Sequence, residues 1–167
     1  VKYSMADVNG DGLVDLAHAY KYTNLGTTTT FSELSANTGA NWATWPSLNT
    51  SSTPLTFVDL DGYDTGTRLI DVNGDGLADL GLWQQNSGLW EIRLNPGDIK
   101  APFPQMFQSS GFGSGKRNII ADFNLDGMTD IGYYENNSGN IIYKLSTGSS
   151  FGPEQSLSVG FNLTNSS

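Results

Sequence analysis

Three segments of the chain carry oxygen-bearing side chains at the same spacing. Each has Asp at positions 1, 5 and 9, Asn at position 3 and Gly at position 6, and the segments are residues 7–15, 71–79 and 122–130. Oxygen donors on alternate residues of a tight loop suit a hard cation such as Ca²⁺, which takes roughly six to eight oxygens at about 2.3–2.6 Å. The spacing therefore predicts three cation-binding loops.

The backbone is expected to supply a further donor to each loop. An EF-hand has a bidentate Glu at position 12 and a helix after it, whereas these loops have His18, Leu82 and Tyr133 at that position. The ligand set must then end at position 9, which leaves the carbonyl at position 7 as the expected backbone donor. These residues are Leu13, Leu77 and Met128. Side chains alone do not separate Ca²⁺ from Mn²⁺ or Mg²⁺, although the flexibility of such loops favours Ca²⁺.

The loops also account for the net charge of the chain, which is −9 over 167 residues. They contain nine Asp residues, and the other eight acidic residues are balanced by eight Lys and Arg. Crowded carboxylates repel one another, and a bound divalent cation removes that cost. A solvated acidic surface is the alternative, but it would not need one spacing three times. An acidic chain is also a poor partner for nucleic acid, whose phosphates bind Lys and Arg.

Strand-like runs surround each loop. In the second segment, apolar runs at residues 68–70 and 80–83 flank the loop, a Gln-Asn-Ser-Gly turn follows at 85–88, and a third run covers 89–94. Asn, Ser and Gly tolerate the backbone angles of hairpin turns. Each loop is therefore expected to join two strands of a small antiparallel sheet, and no convincing helix is indicated.

The loops recur at steps of 64 and 51 residues. Periods of about 40–50 residues with strand-like content are typical of β-propeller blades of four antiparallel strands. We expect an all-β fold, with residues 1–167 forming one three-blade segment divided into repeats at about 1–64, 65–115 and 116–167.

The three loops, together with Phe112-Gly113 and Phe151-Gly152, resemble the FG-GAP or VCBS repeat family, which includes the β-propeller of integrin α-subunits. The resemblance covers nearly the whole chain and implies about three bound calcium ions. The side chains that it implies as calcium ligands are Asp7, Asn9, Asp11, Asp15, Asp71, Asn73, Asp75, Asp79, Asp122, Asn124, Asp126 and Asp130. Leu125 departs from the pattern, since the other loops have Gly there, and we expect a stiffer third loop.

Three blades do not close a propeller, which typically has four to eight. A second copy placed after residue 167 would put its first loop 52 residues beyond the third, close to the internal step of 51. We therefore expect other copies of the chain, or adjoining blades of a longer array, to cover the ends. The result would be a ring or a head-to-tail filament.

The first repeat is 13 residues longer than the second, and the extra length falls within residues 22–57. Trp42 and Trp45 in this stretch either pack on the blade or form a platform for a sugar or a partner protein. A structural or adhesive role is the first hypothesis, and a carbohydrate-binding lectin of propeller type is the alternative. Residues 59–64 contain three further Asp and are interpreted as a turn or a weak extra cation site.

Catalysis is not indicated. His18 is the only histidine, and no nucleophile with a base or pair of carboxylates stands outside the loops. The chain has no cysteine and no apolar run long enough for a membrane span. Structural calcium loops suit extracellular calcium concentrations, so a secreted or cell-surface location is expected. The sequence is expected to be a mature chain or an excised fragment.

Overall fold

The computed structural model describes residues 2–45, 67–97, 103 and 105–159. Within these ranges the regular elements are strands, which form three antiparallel sheets of four strands each. The predicted all-β class and the four-stranded antiparallel sheets are therefore confirmed. The described residues contain no helix long and apolar enough to cross a membrane.

Each sheet lies within one of the predicted repeats. The first sheet contains β1 (Lys2–Ala6), β2 (Asp15–Asn24), β3 (Thr27–Asn37) and β4 (Trp42–Trp45). The second contains β5 (Thr67–Ile70), β6 (Asp79–Gln84), β7 (Leu89–Arg93) and β8 (Gln105–Ser109). The third contains β9 (Asn118–Ala121), β10 (Asp130–Glu135), β11 (Asn140–Ser146) and β12 (Phe151–Ser158).

All three sheets are simple meanders, in which strands that follow one another in sequence are hydrogen-bonded neighbours. The Asp-rich loop joins the first two strands of each sheet, and the register is the same in all three. The strand residues that flank the loop pair as Ala6 with Asp15, Ile70 with Asp79 and Ala121 with Asp130. Position 9 of each loop is therefore also the first residue of the second strand.

Tight turns join the second and third strands. Gly88 and Gly139 end two of these turns with φ of 63° and 69°, in the left-handed region that glycine enters at little cost. The first sheet uses Leu25 and Gly26 with φ of 49° and 81°, and Leu25 is 99% exposed. A fully exposed leucine in this conformation is strained and buries no apolar surface.

The first sheet has the longest hairpin. The residue whose amide bonds to the ninth loop residue lies 22 positions after it in the first sheet, and 16 positions after it in the others. Part of the extra length predicted for residues 22–57 therefore extends β2 and β3, so the threonine run at 27–30 belongs to a strand.

Two apolar clusters lie between the sheets in the part of the chain that the structure describes. The first joins Val8 and Leu34 of the first sheet to Ala78 and Leu80 of the second. The other joins the second sheet to the third, with Trp90 and Ile131 both fully buried in it. Because each cluster draws on two neighbouring sheets, each sheet depends on its neighbour for burial of its apolar face.

Candidate metal centres

The structure places each predicted ligand set within its own loop, at the corner between the first two strands of a sheet. The three loops have nearly the same hydrogen-bonding pattern, built from short bonds between side-chain oxygens and loop amides. Such bonds compete with regular secondary structure and favour turns. The repeated sequence therefore specifies a repeated conformation.

The position 1 carboxylate closes each loop. Asp7 accepts hydrogen bonds from Gly10 N at 2.7 Å and from Gly12 N at 2.8 Å. Asp71 accepts the equivalent bonds from Gly74 N and Gly76 N, at 2.7 and 2.9 Å. In the third loop the donors to Asp122 are the amides of residues 126 and 127, at 3.1 and 2.9 Å.

Positions 3 and 5 form a second turn inside the loop. Asn9 Oδ1 accepts from Asp11 N at 3.0 Å, and Asn9 Nδ2 donates to Asp11 Oδ2 at 2.9 Å. Asp11 Oδ1 then accepts from Leu13 N at 2.8 Å. Both other loops repeat these bonds, through Asn73, Asp75, Leu77, Asn124, Asp126 and Met128.

The position 9 carboxylate is buried and ties the loop to the third strand. Asp79 is 0% exposed and accepts from Val72 N at 2.9 Å and from Asn95 N at 2.7 Å. Asp15 and Asp130 are also 0% exposed and accept from the corresponding amides, at 2.7 to 2.8 Å. Since both oxygens accept backbone hydrogen bonds, position 9 stabilises the fold as well as being a candidate ligand.

The structure contains a second repeated motif, which was not predicted from the sequence. The residue that donates its amide to position 9 is Asn37, Asn95 or Ser146, and each is followed two residues later by a Gly with φ of 71–80°. The side-chain oxygen of the Asn or Ser accepts from the amide of that Gly, at 2.9 to 3.2 Å. The tripeptides Asn-Thr-Gly, Asn-Pro-Gly and Ser-Thr-Gly are the sequence feature that could have indicated this motif.

Burial and neighbouring charge shape the acidity of position 9. Burial raises the pKa of the Asp79 carboxyl to about 6, the bonds from Asn95 and Val72 lower it, and the charges of Asp75 and Asp71 raise it. Burial also raises the pKa of Asp130, with the same pattern of opposing hydrogen bonds and nearby carboxylates. A cation in the loop would favour the charged form and lower both pKa values.

The donor set fits a hard cation. Every candidate donor is a carboxylate, amide or carbonyl oxygen, and an oxygen that accepts one hydrogen bond keeps a second lone pair. Within the described ranges, no three or more His, Cys, Asp or Glu side chains lie close enough together to hold a metal by themselves. A bound ion would therefore also use the oxygen of Asn9, Asn73 or Asn124, or the carbonyl at position 7.

Leu125 occupies position 4 of the third loop, where the other two loops have glycine. Its φ is 61°, where Gly10 and Gly74 have 77° and 74°. All three loops thus need a left-handed residue at position 4, and a leucine meets this need under strain. Leu125 is also 89% exposed, so it buries little apolar surface within the chain.

The other predicted sites are less well placed. Trp42 begins β4 and is 51% exposed, so it does not pack into the core. Trp45 ends the same strand, where its backbone pairs with Leu34. Its side chain lies outside what the structure describes, as does the acidic segment 59–64.

Of the two Phe-Gly elements, Phe112 is buried next to Tyr133, with ring centroids 5.1 Å apart. Phe151 lies in β12 against Phe107, with ring centroids 5.3 Å apart.

Comparison with known proteins leaves the loops as the main guide to function. No protein-family model matches the chain, and no curated protein matches it.

Proposed function

We propose that the three loops bind Ca²⁺ and that the chain is a calcium-stabilised repeat protein with a structural or adhesive role outside the cell. The observation that carries this proposal is the near-identical network of hydrogen bonds in all three loops. The network fixes the carboxylates at positions 1 and 5 and the amide at position 3 within one short turn. The carboxylate at position 9 is held beside this turn by the amide of position 2. Oxygen donors of this kind are those that Ca²⁺ takes in proteins.

In this proposal the role of Ca²⁺ is to stabilise the fold. In the second loop, Asp79 is a buried carboxylate within the field of Asp71 and Asp75, which is costly without a positive charge nearby. A ligand that binds the folded chain and not the unfolded one adds its binding free energy to stability. The chain's own residues contribute the oxygens and the closed loop.

A β-propeller arrangement of the FG-GAP or VCBS type is part of the proposal. A cavity of about 400 Å³ is lined by Ala6, Leu69, Ile70, Ile120 and Ala121, which come from the first strands of all three sheets, and by residues of the loops. First strands that meet at a common cavity are typical of blades around an axis. Further copies or adjoining blades would complete such an array.

The second candidate is a lectin. Trp42 favours it, because a half-exposed indole at a strand end offers a flat apolar surface to a sugar ring. Screening the chain against a glycan array distinguishes the two roles. Discrete hits that Trp42→Ala abolishes would support the lectin, whereas no hits would favour the structural role.

Thermal unfolding with and without a chelator tests the metal proposal. We expect a large drop in Tm on addition of EGTA, and a smaller drop in calcium for Asp11→Ala, Asp75→Ala and Asp126→Ala, each of which removes one position 5 carboxylate. Glu154→Gln is the control, since it removes one negative charge from an exposed position of β12. The same Tm in calcium and in EGTA would refute the proposal.

A further inference from the structure

The first and second sheets meet through a defined junction. Ala78 N donates to Asp7 O at 3.2 Å, and Asn95 Nδ2 donates to Val8 O at 2.6 Å. Leu77 packs over Gly10 so closely that a Cβ on Gly10 would lie 2.9 Å from Leu77 Cδ2. The later loop thus supplies donors and a position 7 side chain, and the earlier loop supplies carbonyls and a glycine.

The second and third sheets repeat this junction. Thr129 N donates to Asp71 O at 2.6 Å, and Ser146 Oγ donates to Val72 O at 2.7 Å. Met128 takes the place of Leu77, with its Cγ 3.1 Å from where a Cβ on Gly74 would lie. One chain therefore contains two examples of the same directional contact.

The first sheet carries the donor half of this contact, and among the residues that the structure describes no other loop accepts from it. Its leading surface, defined as Met5, Leu13 and Val14, is 61%, 37% and 47% exposed. Ala78, which is the equivalent of Val14 in the second sheet, is only 6% exposed. Asn37 Nδ2 corresponds to Asn95 Nδ2, and within the described ranges it donates only to Val14 O of its own sheet, at 3.3 Å.

The third sheet carries the acceptor half. Its trailing surface is defined as Phe123, Leu125 and Tyr143. The rings of Phe123 and Tyr143 stack at 4.6 Å and stay partly exposed, and Leu125 is 89% exposed. Among the residues that the structure describes, none from another loop donates to the carbonyls of Asp122 and Phe123, as Ala78 and Asn95 do to those of the first loop.

We propose that the leading surface of one chain docks on the trailing surface of a second copy, head to tail. Val14 N of one copy then donates to Asp122 O of the other, Asn37 Nδ2 donates to Phe123 O, and Leu13 packs against Leu125. This names the partner of the structural role proposed above and rests on it. The contact continues the two junctions already present in each chain.

The polarity of the two surfaces favours this arrangement over a contact between two like surfaces. The leading surface offers donors and the trailing surface offers acceptors, so two leading surfaces face to face would leave their amides unpaired. The new junction differs from the inner ones in one respect, because Leu125 stands where they have glycine. The end of Leu13 is flexible and can move aside, and Leu125 then adds apolar contact to the junction.

Mass measurement by light scattering, over a range of chain concentrations in calcium, tests the proposal. The wild-type chain is expected to reach at least twice its 18.0 kDa mass. Val14→Asp introduces a charge into the leading surface and Leu125→Asp introduces one into the trailing surface. Each variant alone is therefore expected to be a monomer. Leu25→Asp is the matched control, since Leu25 is also exposed with positive φ but lies in the β2–β3 turn, and it is expected to assemble like wild type.

Mixing the two variants gives the decisive result. The Val14→Asp chain keeps its trailing surface and the Leu125→Asp chain keeps its leading surface, so an equimolar mixture is expected to form one junction and a dimer. Monomeric wild type at every concentration, or a mixture that stays monomeric, overturns the proposal. If circular dichroism shows that Val14→Asp is unfolded, Met5→Lys on β1 takes its place.

The same variants separate this proposal from the metal proposal. The double variant Val14→Asp/Leu125→Asp changes the first and third loops at positions that are not predicted ligands and leaves the second loop, residues 71–79, unaltered. It is therefore expected to be a monomer that still loses Tm on addition of EGTA. Assembly of wild type without any calcium effect would support the head-to-tail contact and refute calcium binding. A calcium effect on a wild-type chain that stays monomeric would support calcium binding and refute the head-to-tail contact.

Discussion

At the scale of the residue, position 9 of each loop has two tasks. Its carboxylate is a candidate ligand, and it also pairs two buried backbone amides that would otherwise have no partner. The pattern of Asp residues predicted the first task. The second could not be predicted, because it depends on which strand end lies next to the loop, and this is set by the register of the sheet.

These tasks can be separated by substitution in the second loop. Asp79→Ala leaves the amides of Val72 and Asn95 unpaired, and an unpaired buried group costs about 1–3 kcal/mol. Asp75→Ala removes an exposed carboxylate and is expected to cost less than about 1 kcal/mol in EGTA. Urea unfolding in EGTA measures both, and equal losses would show that Asp79 has no structural role of its own.

The buried carboxylate also predicts a pH dependence. The pKa of Asp79 is raised from 3.8 to about 6 in the cation-free fold, so between these pH values the folded chain holds a proton that the unfolded chain releases. Stability contributed by this group is therefore present at low pH and is lost as pH rises towards 6. Bound calcium lowers the pKa and should reverse the slope. Urea unfolding from pH 4 to 7, of the chain freed of metal by dialysis and of the chain in calcium, checks the sign, and identical slopes would contradict it.

At the scale of the element, the sequence predicted the strands around the loops and missed what joins them. The apolar runs and the Asn-Ser-Gly turns were sufficient to place β6, β7, β10 and β11. The long β2–β3 hairpin was not predicted, since Thr, Ser and Asn are as common in loops as on the exposed face of a strand. The Asn-x-Gly and Ser-x-Gly motifs were missed because the groups to which they bond lie in distant strands, and for Asn95 and Ser146 also in another sheet.

Asn95 and Asn37 offer a matched pair for testing the junction. Asn95 Nδ2 donates to Val8 O in the neighbouring sheet and to Ala78 O in its own, whereas the amide of Asn37 donates, among the described residues, only to Val14 O in its own sheet. We expect Asn95→Ala to lower the free energy of unfolding by about 2 kcal/mol, because it leaves a buried carbonyl without a hydrogen-bond donor. Asn37→Ala leaves no buried carbonyl unpaired and is expected to lower it by less than about 1 kcal/mol. Urea unfolding of both in the Leu125→Asp background removes any contribution from assembly, and a larger loss for Asn37→Ala would count against the junction.

At the scale of the whole molecule, the three sheets form a directional series. The loop spacing indicated the number of repeats, but the donors and acceptors that connect them became visible only in three dimensions. Apolar clusters lie between the sheets, and the charge of the chain is concentrated at one corner of each sheet. Stability is thus expected to depend on the cations at the corners and on the packing between neighbouring sheets.

Calcium binding stoichiometry tests the central claim most directly. Equilibrium dialysis of the metal-free chain against labelled Ca²⁺ is expected to give three ions per chain, two after Asp75→Ala, and three after Glu154→Gln. A chain that binds no calcium under these conditions, while keeping its strands by circular dichroism, would contradict the claim that the loops hold cations.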